Sequence, residues 1–137
     1  MNARLSTRIA EADRGRCRYC QTTERNSGIP LTFDHIHPSS KGGPTTFENV
    51  CQACGPCNRF KADAVDAIDP LSGERVRIFN PRTEAWSDHF VWSADSTKIV
   101  GLTPTGRATV VALRVNRPVI VTTRERWRQV GWHPPAA

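Results

Sequence analysis

Cys17-Arg18-Tyr19-Cys20 and, after a long intervening stretch, Cys54-Gly55-Pro56-Cys57-Asn58-Arg59-Phe60-Lys61 decide how this chain folds. Zinc takes four thiolates in a tetrahedral cage, and a CxxC turn lets two sulfurs reach one ion. Two such turns tie the residues between Cys20 and Cys54 into a closed loop. The second turn has two possible registers, because Cys51-x-x-Cys54-x-x-Cys57 holds two overlapping pairs. We favour Cys54/Cys57, which places Asn58 directly after the last ligand and leaves Cys51 as a small buried thiol. Cys17, Cys20, Cys54 and Cys57 are thus expected to hold structural Zn2+. Five cysteines are an odd number for disulfides, and residues 1–8, which have no apolar run, lead us to expect no export signal.

The loop closed by these turns carries an acid and an imidazole side by side. Leu31-Thr32-Phe33-Asp34-His35-Ile36 reads as a short strand with Leu31 and Phe33 packing inward, ended by Pro38. Alternation sends Asp34 and Ile36 to one face, His35 and His37 to the other. The polar, glycine-bearing run Ser39–Thr46 is a loop, and 46–50 a turn or helical stub. A helix is expected over 58–65, with Asn58 and Lys61 on one face, since i and i+3 are neighbours. Two short strands and a helix around a metal site give an α+β fold built on a ββα unit.

Hydrolysis of a phosphodiester needs a base for the attacking water and a cation for the charge on the leaving oxygen. An unperturbed imidazole titrates near ~6.5, which makes His35 the natural base. A carboxylate from Asp34 and an amide carbonyl from Asn58 meet the modest needs of Mg2+ or another divalent ion, which keeps most of its waters. Lys61, Lys41 and Arg59 are candidate phosphate contacts. His37 is left open between phosphate contact and surface histidine.

The string Asp34-His35-Ile36-His37-Pro38-Ser39-Ser40-Lys41-Gly42-Gly43, then Asn49, then Cys54-x-x-Cys57-Asn58-x-x-Lys61 resembles the HNH, or ββα-metal, endonucleases. The resemblance covers residues 16–62. It implies that His35 is the general base, that Asp34 and Asn58 ligate the catalytic ion, and that Asn49 pins the loop through side-chain to backbone hydrogen bonds. The third letter of the motif is an asparagine here, Asn58 in place of a histidine. Phe79–Arg82, Trp86, His89-Phe90 and Gly101–Arg107 also look like the tail of some small stand-alone bacterial HNH proteins, without adding chemistry.

A formal net charge of +6 and a pI near 9.5 favour a polyanionic partner. Four zinc-bound thiolates would lower that charge to about +4. The basic surplus sits at both ends. Residues 63–97 carry three basic and seven acidic side chains, a local −4. No stretch approaches the ~18 apolar residues of a membrane span, and residence in the cytoplasm is the default expectation.

Residues 1–65 are expected to form the core with an N-terminal helix over 1–14, and 66–137 an accessory lobe packed on it. In that lobe 66–87 reads as irregular, 90–93 and 98–101 as a hairpin, and 103–114 and 116–130 as helices. The tryptophans read as packing, the Arg124, Arg126, Arg128 series and the Asp63, Asp66, Asp69 series as solvated faces. The resulting expectation is a metal-dependent DNA endonuclease. The alternatives are a zinc-ribbon module that grips nucleic acid without cutting it, and a component of a larger phage or defence nuclease. Oligomeric state is not readable.

Overall fold

Strand β1 (Thr32–His35) pairs antiparallel with β2 (Val50–Ala53) in a computed structural model that describes all of residues 1–137, with Thr32 opposite Ala53 and His35 opposite Val50. Between them the chain makes two single 3-10 turns, at Ser39–Lys41 and Phe47–Asn49. A helix, which is α3 in chain order, then runs over Gly55–Lys61, completing a ββα unit. The fold is α+β, with small sheets, a cysteine cluster suited to zinc, and the ββα core.

The helix starts earlier than expected and stops sooner. Cys54 caps it, its Sγ accepting from the Cys57 N–H at 3.5 Å, and Pro56 sits in the first turn where its missing N–H costs nothing. Ala62 takes φ 49, so the helix ends at Lys61 and Phe60 and Ala64 share no helical face. The facing of β1 also differs from expectation. Asp34 is 3 % exposed, opposite the buried Cys51, whereas Leu31 and Phe33 are only half-buried. Hydrophobic alternation failed here because the inward carboxylate is compensated by polar partners described below.

The chain divides into two compact units, Met1–Val65 with Asn80–Glu84 and Asp66–Phe79 with Ala85–Ala137. In the first, α1 (Ala3–Asp13) is capped by the Asn2 side chain on Leu5 N at 2.8 Å and ends at Arg14 in the left-handed region. It buries Ile9 and Asp13. The Asp13 carboxylate accepts from Gln52 N at 2.8 Å and from both terminal nitrogens of Arg82, at 2.7 and 3.1 Å. Arg82 also donates to the carbonyls of Phe47 and Val50, and its guanidinium lies 4.3 Å over the Phe47 ring. This explains why residues 80–84, expected with the C-terminal lobe, lie in the first unit. A one-turn helix α2 (Glu24–Ser27) interrupts the segment expected to be loop.

The second unit holds two hairpins and three helices. Strands β3 (Asp66–Ile68) and β4 (Arg75–Arg77) pair where irregular chain was expected. Their turn is organised by Asp69, which accepts from Leu71 N, Ser72 N and Ser72 Oγ and takes a two-pronged bond from Arg107. Asp69 is therefore buried rather than solvated, and Arg107 holds its carboxyl well below the usual range. Helix α4 (Trp86–His89) leads into β5 (Phe90–Trp92), which pairs with β6 (Ile99–Gly101). Helix α5 (Pro104–Ala112) is capped by Thr103, and α6 (Pro118–Gln129) closes the unit. Gly106 lets α5 approach, since a Cβ there would overlap the His89 carbonyl oxygen. The core includes Phe79, Phe90, Ile99, Leu113 and Ile120. Arg124, expected on a solvated face, is 1 % exposed. It donates to Thr97 O, Val115 O and Asn116 Oδ1 beneath Trp92. No helix is long and apolar enough to cross a membrane.

Candidate active site and zinc centre

The CxxC turns meet as four buried sulfurs, Cys17, Cys20, Cys54 and Cys57, all within 4.8 Å of one another. The Sγ atoms of Cys20 and Cys54 are 3.6 Å apart. A tetrahedron with Zn–S near ~2.3 Å places its sulfurs about 3.8 Å apart, so the cage fits zinc. The amides of Cys20 and Cys57 aim at the sulfurs of Cys17 and Cys54, each at 3.5 Å, as donors to thiolates do. Burial pushes the Cys17 thiol well up in the absence of a cation, and a bound dication reverses that preference.

The cage also settles the register. Cys51 is outside it, paired across the hairpin with Asp34 and 3.9 Å from the Tyr19 hydroxyl. Burial pushes its thiol up to about 12, so it stays protonated and inert.

The hairpin then presents the other motif residues together. His35 is half-buried, and its Nε2 lies 2.9 Å from Thr45 Oγ1, while Nδ1 carries no hydrogen bond. The Asn49 amide bridges the loop from inside. It donates to His37 O at 2.9 Å and Pro44 O at 2.8 Å, and accepts from His37 N at 2.9 Å. Gly43 is required in that loop, because a Cβ would overlap the His37 carbonyl oxygen. Asn58 lies on α3, packed over β1, and its Nδ2 donates to Thr32 Oγ1 at 2.9 Å and Phe33 O at 3.2 Å. That leaves the Oδ1 carbonyl without a partner.

Residues 17–68 match the HNH endonuclease family. Neither the curated proteins nor the solved structures contain a match to this chain. The family match supports nuclease-type chemistry on a nucleic acid in general terms.

Within the HNH segment, Asp34 is the most constrained side chain. Tyr19 donates its hydroxyl to Oδ2 at 2.7 Å, and the Lys61 ammonium lies 3.3 Å from Oδ1 and 3.2 Å from Oδ2. Lys61 also donates to the backbone carbonyl of His35 at 3.1 Å. Burial pushes the Asp34 carboxyl up, opposed by the Lys61 charge and the Tyr19 bond. The phenol of Tyr19 is itself pushed well up by burial, so it remains a donor.

Lys61, expected to contact phosphate, has a side chain 1 % exposed, its ammonium turned to Asp34 and the His35 carbonyl. Lys41 and Arg59 are exposed, with Arg59 over the Phe60 ring. His37 is exposed, its Nε2 3.1 Å from Lys41 O within the loop. Sequence reasoning missed Tyr19, although its position inside a CxxC turn ties it to the cage. It also missed Thr45, a loop threonine with no distinguishing pattern.

Proposed function

We propose that this chain is a zinc-braced endonuclease that hydrolyses DNA phosphodiesters with one Mg2+-class ion, using His35 as general base. The observation that carries this reading is the imidazole of His35, held at one nitrogen and open at the other. With Nε2 protonated and donating to Thr45 Oγ1, Nδ1 presents a lone pair to an attacking water. Nδ1 takes the proton as the water oxygen bonds to phosphorus. The phosphorus–oxygen bond opposite breaks, and the leaving oxygen takes up a proton from solvent. Asn49 fixes the loop that carries Thr45, so it acts on the base by position.

The hard donors Asp34 and Asn58 suit a divalent ion. Asn58 supports this most directly, since its Nδ2 bonds orient the amide and leave Oδ1 unused. Asp34 retains lone pairs beyond those used by Tyr19 and Lys61. The ion, when bound, offsets charge on the phosphoryl and leaving oxygens. Lys41 and Arg59 are the phosphate contacts in this reading, and the basic balance of the chain favours DNA as the polyanion.

The test incubates supercoiled plasmid with the zinc-loaded protein and Mg2+, Mn2+ or EDTA, comparing wild type with His35→Ala. Metal-dependent nicking that disappears in His35→Ala is expected. A second reading, a module that binds nucleic acid without cutting, is favoured by one observation: Asp34 already has a cation beside it. Retention of plasmid with no cleavage in any metal would select that reading.

A further inference from the structure

Asp34 is 3 % exposed, yet its counter-charge comes from within the chain. Lys61 spans both carboxylate oxygens and reaches the His35 carbonyl as well. Resting on the metal-dependent reading above, we propose that Lys61 is the resident cation of this site, and that a divalent ion reaches Asp34 only by displacing the ammonium.

The argument is one of charge and room. A carboxylate buried without a partner is costly, which is what Lys61 offsets in the metal-free protein. A dication on the same oxygens would stand within a few ångströms of the ammonium, in surroundings that screen poorly, and the two would repel strongly. One of them must leave. Lys61 is suited to do so, being the last residue of α3, followed by Ala62 at φ 49 and the exposed Asp63. Its flexible four-carbon stem lets the ammonium swing out without moving the helix. Tyr19 stays behind as the neutral donor that keeps Asp34 in place. Because Lys61 also holds the His35 carbonyl, its departure loosens the backbone of the base as the ion arrives. Metal occupancy and the setting of the base are thereby linked.

The chain has three lysines, and Lys41 and Lys98 are exposed, so each molecule carries its own standards. The full-length, zinc-loaded wild type is acetylated with and without Mn2+, and the rate at each lysine is read by peptide mass spectrometry. Lys61 is expected to react at least roughly tenfold slower than the other two without Mn2+. Bound Mn2+ should bring it to within a few-fold of them, and Asp34→Asn should remove the Mn2+ effect. In parallel, free Mn2+ is followed by electron paramagnetic resonance, and Lys61→Met is expected to bind it about tenfold more tightly than wild type.

Lys61 remaining protected while Mn2+ is bound overturns the proposal. So does Lys61→Met binding Mn2+ no better than wild type. If Lys61→Met does not fold, the labelling of wild type decides alone, and an unchanged Lys61 rate at every Mn2+ concentration overturns it. Cleavage is not part of this readout. Displacement without plasmid nicking defeats the nuclease reading and leaves this one, whereas His35-dependent nicking with Lys61 still protected does the reverse.

Discussion

On the proposed mechanism, replacing Asn49 by alanine separates a residue that positions the base from the base itself. The substitution removes three hydrogen bonds, to His37 N, His37 O and Pro44 O. All three lie at the exposed end of the hairpin, where water can take over the freed groups. Each bond is therefore worth the low end of its range, about 0.5 kcal/mol, and the three together about 1.5 kcal/mol. If that energy holds the loop closed over His35, the closed-to-open ratio falls roughly tenfold, since about 1.4 kcal/mol is a factor of ten. The single-turnover nicking rate should fall by no more than that factor, and stability by no more than about 1.5 kcal/mol because the β1–β2 ladder is untouched. Loss of a general base costs far more, on the order of 10²–10⁴. Nicking of supercoiled plasmid under fixed Mg2+ compares Asn49→Ala, His35→Ala and wild type, and trypsin cleavage at the exposed Lys41 reports loop opening. Asn49→Ala should be cleaved at Lys41 up to roughly tenfold faster, with nicking slowed by no more than about tenfold. A rate as low as that of His35→Ala, with Lys41 no more accessible, would refute action through the loop and put Asn49 in the chemistry.

Cys51→Ala should retain one zinc per chain and Cys54→Ala should lose it, measured by metal release to a colorimetric chelator; equal loss in both would reverse the register. Zinc affinity should rise with pH, because buried thiols such as Cys17 bind protons when metal-free and release them to the ion, so acidification frees zinc and chelation is easier at lower pH. Titration with a competing chelator at several pH values measures this, and a flat profile would contradict it. Arg82→Met should cost the first unit about 3–5 kcal/mol in urea unfolding followed by circular dichroism, because the buried Asp13 loses its two-pronged partner and keeps only Gln52 N and, at 3.8 Å, Arg18. A loss below about 1 kcal/mol would show that Gln52 N and Arg18 suffice. Arg124→Met should cost about 3 kcal/mol and change tryptophan emission, since it strips Thr97 O, Val115 O and Asn116 Oδ1 of a donor beneath Trp92. Unchanged emission would argue against that placement.

What was legible in the sequence is what depends on local chemistry. The CxxC turns announced the sulfur cage, because ligand spacing is a property of one turn. Thr103-Pro104 and Pro118 marked the starts of α5 and α6, and the β5–β6 hairpin showed in its apolar runs around a polar turn. Distant pairs of charges were not legible. Asp13 and Arg82 are 69 positions apart, and Asp69 and Arg107 are 38. Charged side chains are usually exposed, so nothing in the local pattern says that these four, or Arg124, turn inward. The facing of β1 failed for the same reason. Asp34 occupies the buried row because Tyr19 and Lys61 meet it there, and neither partner is its neighbour in sequence.

The return of residues 80–84 to the first unit has a consequence for how this protein could be inherited. The chain leaves that unit after Val65, makes the β3–β4 hairpin, comes back long enough to set Arg82 against Asp13, and leaves again. Three crossings of the chain, not one, join the halves. The stretch that matches the HNH family ends at residue 68, short of the arginine on which the inner end of α1 depends. A gene exchange that transplanted residues 1–68, the matched stretch together with α1, would carry the buried Asp13 without Arg82. To travel intact, the first unit must carry the β3–β4 hairpin along as a passenger.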